Sequence, residues 1–278
     1  MAKKIREPEF YYSQINTKLL NYNVYRMSIG QKIMYFLAMF VIGGILGIIF
    51  YGGLFKSDGE STGATKISDV VVFCLMGIIV VKVFMPIMNE RLKNKRLKNL
   101  KVQFKDFLVA ISAAMAGGMN ISDSIIAAYH DVCSQYSQES YIAIEALEMI
   151  NGMQNNIPIE DTINNLGTRS GVDDISNFGI VFSICYRTGG NMKEVVKNTT
   201  QVITEKMIIE DEIATKIMSN KIQLYTMLFI PIVIVIFMKS MSSDFAAGFS
   251  SVLGVIATTI SIFIFIGAYK VGSKMMKI

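Results

Sequence analysis

The stretch IMYFLAMFVIGGILGIIFYGGLF (residues 33–55) runs from Lys32 to Lys56 without a single charged side chain. As a helix rising 1.5 Å per residue it is long enough to cross a hydrocarbon layer of about 30 Å. Three further stretches repeat the pattern: VVVFCLMGIIVVKVFMPIM (70–88), IQLYTMLFIPIVIVIFM (222–238) and the segment from Phe245 to Tyr269. The second is interrupted by Lys82, close enough to its end for the stem to snorkel to the headgroups. The whole chain is 52% hydrophobic and 18% charged, with a mean hydropathy of +0.43. That balance is too apolar for an ordinary soluble domain. One buried soluble helix could mimic one such span, but hardly four.

Lysine and arginine accumulate on cytoplasmic flanks, so their positions predict orientation. The N-terminal arm holds Lys3, Lys4, Arg6, Lys18, Arg26 and Lys32, and residues 91–105 hold Arg91, Lys93, Lys95, Arg96, Lys98, Lys101 and Lys105. Lys270, Lys274 and Lys277 follow the fourth span, whereas the opposite loops carry only Lys56, Lys66 and Lys239. The expected layout is a cytoplasmic arm (1–32), a transmembrane hairpin (33–88), a cytoplasmic domain (89–221), a second hairpin (222–269) and a cytoplasmic tail (270–278). No secretory signal peptide is apparent in the polar start MAKKIREPEFYYSQINTKLL.

The domain between the hairpins reads as all helix, six helices in a bundle, because its apolar residues recur at helical spacing. Phe104, Phe107, Leu108, Ile111 and Met115 line the first helix; Ile121, Ile125, Tyr129, Val132 and Tyr136 the second; Tyr141, Ile144, Leu147 and Ile150 the third. Pro158 opens a fourth with Ile159, Ile163 and Leu166, and Ile175, Phe178, Phe182 and Cys185 make a fifth. The sixth starts near Asn191 and is expected to run on into the third span. No strand-like alternation of useful length is seen. The fold class is therefore an all-α polytopic membrane protein with four transmembrane helices and a six-helix cytoplasmic bundle.

Two corners of that bundle match: MAGGMNISDS (115–124) and RTGGNMKEVV (187–196). Glycine adopts the left-handed conformation that closes a helix, so Gly117-Gly118 and Gly189-Gly190 are expected to end two of them, with Gly190 a position where valine would block the turn. Asn120 and Asn191 then cap the next helix, and Asp123 and Glu194 sit three residues on, where an acid meets the positive helix end. The matching corners suggest two related three-helix halves. A phosphate loop would need GxxxxGK[ST] after a strand, and neither corner has that lysine, spacing or strand.

The remaining chemistry is sparse. Cys74, Cys133 and Cys185 form no CxxC and no metal-ligand spacing, which suits small packing residues in a reducing compartment. His130, the single histidine, lies beside Asp131; as a phospho-acceptor it would make the chain a membrane-anchored sensor, yet no glycine-rich ATP-binding segment follows it. A transporter would need ionisable groups inside the spans, and only Lys82 qualifies. No catalytic, cofactor or metal site is expected, and nothing points to nucleic acid. Charge is segregated: residues 106–221 carry fifteen acids and seven bases, against seven bases and no acid in 91–105. The basic collar suits anionic lipid. Glu210, Asp211 and Glu212 form either a solvated helix face or a docking surface for a basic partner or a cation.

These blocks together resemble the type II secretion F-domain family, the inner-membrane platform proteins of type II secretion and type IV pili, and most of all the single-domain TadB/TadC branch of Flp (tight adherence) pilus systems. The resemblance rests on FKDFLVAISAAMAGGMNISDSI, PIEDTINNLGTRSGVDDI, FSICYRTGGNMKEVVKNTTQVITEK and Pro231, in that order, over about residues 100–240. The chain departs from the family at Thr204, where members often carry arginine, and at Asn220-Lys221, where a Gly-Arg pair is often found. The resemblance implies a non-enzymatic assembly role in a bacterial inner membrane. It also implies three kinds of protein partner: a hexameric cytoplasmic secretion ATPase, pilin subunits, and a second F-domain platform protein or another copy of this chain.

Overall fold

The computed structural model describes residues 8–53 and 63–275. Lys3, Lys4, Arg6, Lys56, Lys277 and the last two residues of the first expected span lie outside them. In chain order the elements are β1 (Phe10–Tyr12), β2 (Lys18–Leu20), α1 (Ile29–Tyr51), α2 (Gly63–Ala116), α3 (Ile121–Tyr136), α4 (Tyr141–Gln154), α5 (Ile159–Ser170), α6 (Asp173–Thr188), α7 (Met192–Met241), α8 (Ser243–Ser250) and α9 (Val252–Met275). They form two units, one comprising residues 1–26 and 89–210 and the other 27–88 and 211–278.

The first unit is a helical bundle made by the end of α2, by α3 to α6 and by the start of α7. Its core joins Leu100, Phe104, Phe107 and Leu108 of α2 to Ile125 of α3, Ile163 and Leu166 of α5, Phe178 and Phe182 of α6, and Val196 and Ile203 of α7. Phe104 meets Phe178 edge-on, with ring centroids 5.6 Å apart. On α4 the expected face is only partly the buried one: Ile150 lies in the core and Tyr141 packs against it. Ile142, Ala143, Ala146 and Met149 turn inward, while Ile144 and Leu147 are exposed. Small Ala143 and Ala146 allow close packing, and Glu145 and Glu148 share the buried side, Glu145 ion-paired with Arg169 and Glu148 accepting a bond from Thr17.

Facing both acids is the N-terminal arm, which supplies hydroxyl donors from Thr17 and Tyr22. β1 and β2 pair antiparallel, Phe10 opposite Leu20 and Tyr12 opposite Lys18, so the arm does contain strands where none was expected. Leu19 and Tyr22 are buried. Arg169 of α5 forms a two-pronged ion pair with Glu145 of α4, at 2.6 and 3.0 Å, and also donates to the Leu20 carbonyl at 2.9 Å. The Tyr22 hydroxyl donates to the same Glu145 carboxylate at 2.9 Å, and the Tyr22 N–H to the Arg169 carbonyl. Burial, and then the charge of Glu145, push the Tyr22 phenol far above its ordinary pKa, so it stays a donor. Thr17 donates to Glu148 at 2.7 Å. Gly171, with φ of +62°, ends α5 and passes so close to Asn23 that a Cβ would collide with its amide.

In the second unit, four helices have segments long and apolar enough to cross a membrane: α1, α2, α7 and α9. Gly43, Gly44 and Gly47 of α1 receive Val80, Phe73 and Met76 of α2 with no room for a Cβ, a small-residue seam of the kind that lets apolar helices approach closely. Lys239 donates to the Ile49 carbonyl in the last turn of α1 at 2.7 Å, satisfying one of the acceptors a helix end leaves over. The Tyr51 and Thr259 hydroxyls meet at 3.0 Å. Pro86 and Pro231 lie inside α2 and α7. The second and third expected spans are thus parts of longer helices, and α7 runs unbroken from the bundle as expected. The fourth is shorter than Phe245–Tyr269 suggested at its start. The chain breaks at Ser251, whose hydroxyl accepts from the Gly254 N–H, so residues 245–250 belong to α8.

Removing one member of a buried ion pair strands the other, a loss of about 3–5 kcal/mol. Arg169→Ala is therefore expected to lower the melting temperature of the detergent-solubilised chain strongly. The volume-matched double variant Arg169→Met, Glu145→Leu should recover most of it. Equal melting of the two variants would contradict this account of the arm.

Candidate functional site

The two matching corners lie at α2–α3 and α6–α7. At the first, Gly118 is left-handed with φ of +95° and Gly117 is not; at the second, Gly189 is left-handed with φ of +67° and Gly190 is not. The conformational demand thus falls on Gly189, correcting the expectation for Gly190, whose added Cβ would instead press on the Cys185 sulfur at 2.7 Å. In both corners the left-handed glycine stands two residues before the asparagine. The Asn120 Oδ1 accepts from the Asp123 N–H at 2.9 Å, and Asn191 Oδ1 from the Glu194 N–H at 3.2 Å. Each acid answers through its side chain, Asp123 accepting from the Asn120 amide at 2.7 Å and Glu194 from the Asn191 amide at 3.3 Å.

A second constellation ties α2, α6 and α7 together. Lys101 of α2 lies 3.0 Å from Asp174 of α6 and 2.9 Å from Glu210 of α7, and Lys206 of α7 reaches Asp174 at 2.7 Å. Burial pulls the Lys101 ammonium down, but its bonds to Glu210 and Asp174 outweigh that and raise it above the ordinary lysine value. Burial pushes the Asp174 carboxyl up, and bonds from Lys206 and Lys101 more than reverse this, holding it below the usual aspartate value. Glu210, one of the three acids of the candidate docking face, is thus half exposed and also bonded to Lys101. Asp211 and Glu212 follow it, exposed, on α7.

The basic collar is also partly consumed. Lys105 pairs with Asp106 at 2.8 Å, and the Arg96 guanidinium lies over the Tyr25 ring, 4.3 Å from its centroid, while donating to the Val24 carbonyl. Arg91 and Lys95 remain exposed along α2. His130 is exposed on α3, its ring edge-on to Tyr129. Among the described residues no three His, Cys, Asp or Glu side chains are placed to hold a metal ion. Burial and Asp106 together push the Tyr136 phenol up to about 12.

The structure adds a feature absent from the sequence argument. A small open-mouthed cleft lies between the β1–β2 turn and helices α4 and α5. Its walls include Glu145, Glu148, Asp161 and Arg169. The signal for it in the sequence was the spacing of Ala143, Glu145, Ala146 and Glu148, which places two acids on a face made narrow by alanines.

Two outcomes test these sites. Gly189→Val forces a β-branched residue into the left-handed region and should cost about 1–3 kcal/mol in unfolding experiments, whereas Asn191→Ala should cost about 1 kcal/mol. An unchanged melting temperature for Gly189→Val would refute the corner. Because the Asp174 pKa is depressed by folding, its contribution is present above the unfolded-chain value near 4 and is lost as pH falls through the lower folded value. The raised Lys101 contributes below about pH 10 and loses its share as pH rises through its folded value. The stability gap between wild type and Asp174→Asn should accordingly be widest around pH 5–9 and close in acid; a pH-independent gap would argue against the ionic link.

No curated protein and no solved structure matches the chain. Residues 104–238 match the model of the family described as Type II secretion system (T2SS), protein F. The matched segment begins at buried Phe104 in α2, takes in α3 to α6 with both corners, and continues along α7 through its apolar half. Over residues 104–238 this chain is similar to the T2SS F family, and the match supports an F domain there.

Proposed function

We propose that this membrane protein is a non-enzymatic platform of a bacterial inner-membrane assembly machine, a type II secretion system or a type IV pilus of the Tad/Flp kind. The observation that carries this is the family match itself, which runs without a break from the bundle into the apolar half of α7. Such platforms sit in the inner membrane and have no catalytic task of their own. In this proposal both termini and the bundle face the cytoplasm, and a separate hexameric ATPase works on the bundle. A second F-domain protein or another copy of the chain stands beside it, pilin subunits are the cargo, and anionic lipid lies against Arg91 and Lys95. Continuous α7 would carry displacement of the bundle into the apolar unit.

The histidine-based sensor finds no support in the geometry, since His130 is exposed, with the Tyr129 ring beside it. A clean deletion of the gene in its host should abolish surface filaments or secretion while leaving the pilins synthesised. The chain solubilised in mild detergent should co-purify with the secretion ATPase. Normal filaments and secretion in the deletion strain would overturn the proposal.

A further inference from the structure

The bundle's acids are mostly spoken for. Glu145 is balanced by Arg169, Asp174 by Lys101 and Lys206, and Glu210 by Lys101. Glu148 differs. It is 8% exposed and lines the cleft, yet it receives one hydroxyl bond from Thr17 and has no lysine or arginine within ion-pair distance among the described residues. Asp161 stands on the same cleft, at the edge of ion-pair range from Arg187, 3.9 Å away, whose side chain is 65% exposed. With Glu145 paired to Arg169 and Asp161 loosely paired to exposed Arg187, Glu148 is the cleft carboxylate left without a cationic partner among the described residues, and it is almost wholly withdrawn from water.

A buried carboxylate without a counter-charge is costly, and a cation entering the cleft would offset that cost. An anion would be repelled, and a neutral apolar group would strip Glu148 of its remaining water. A hard divalent cation asks for six or more oxygen ligands, which two separated carboxylates do not supply. The rest of the lining fits a longer object. Leu19, Met149 and Ile157 give an apolar wall alongside the acids, as the four-carbon stem of a lysine requires beneath its ammonium group. The mouth is open, so such a side chain can enter end-on from another protein.

We infer that this cleft is a docking socket for a lysine side chain on a basic segment of a partner protein. It is built jointly by the arm, through Ser13, Gln14 and Leu19, and by α4 and α5, so it exists only while the arm is seated. The socket does not depend on the platform role, and its binding test is independent of filament assembly.

The probe is a fluorescein-labelled peptide, acetyl-Ala-Lys-Ala-Lys-Ala, titrated by anisotropy into the full chain held in an uncharged detergent. Glu148→Gln, which is isosteric and keeps an acceptor for Thr17, should weaken binding about tenfold. Asp161→Asn, at a more exposed position, should weaken it about two- to threefold. Glu139→Gln, removing an exposed acid elsewhere, should leave it unchanged, and the peptide with norleucine for lysine should not bind. A thermal melt of each variant confirms that it is folded. Wild-type affinity in both cleft variants, or an equal loss in the Glu139 variant, would overturn the socket.

Discussion

The buried ion pair between Glu145 and Arg169 is the constraint on which the bundle's arrangement turns. Two charges withdrawn from water are tolerable only when every donor and acceptor around them is met. Here the guanidinium faces the carboxylate with two bonds and the Leu20 carbonyl with a third, and the Tyr22 hydroxyl closes the carboxylate's other side. That requirement sets the rotation of α4, which must turn Glu145 inward and hence leaves Ile144 and Leu147 outside. It also sets the path of the arm, which must bring Leu20 and Tyr22 within reach of α5. Gly171 belongs to the same arrangement, since any side chain there would push Asn23 and the arm away.

A second ionic link has a different character. Lys101, Asp174, Lys206 and Glu210 sit nearer the surface and join three helices, two of which, α2 and α7, continue beyond the bundle. Their bonds are exchangeable, responsive to pH and salt, and therefore suited to yielding without exposing the apolar core. The Glu145–Arg169 pair cannot yield in that way. In the proposed role, the contrast would give the bundle one fixed joint and one compliant one.

Much of this was legible in the sequence because it rests on local patterns. The spans declare themselves through uninterrupted apolar length, and the helices through spacing, with Phe104, Ile125, Leu166 and Phe178 buried as their periodicity requires. The corners were legible too, though not the choice between adjacent glycines, which depends on backbone angles that a Gly-Gly pair leaves open. What could not be read locally was long-range pairing. Spacing alone does not place Arg169 and Tyr22 beside Glu145, Lys101 beside Glu210, or the hairpin within PEFYYSQINTKLL against α4 and α5. On α4 Ile150 is inside as expected but Ile144 and Leu147 are not, because large side chains were weighed over alanines.

The seated arm also has a bearing on how the chain threads a bilayer. Tyr22 precedes α1 and the apolar half of α2, whereas Glu145 and Arg169 follow both, yet the three share one buried contact. Residues that share a core must lie on the same side of any membrane. The intervening segment can therefore cross only an even number of times, a parity rule that owes nothing to where the lysines fall.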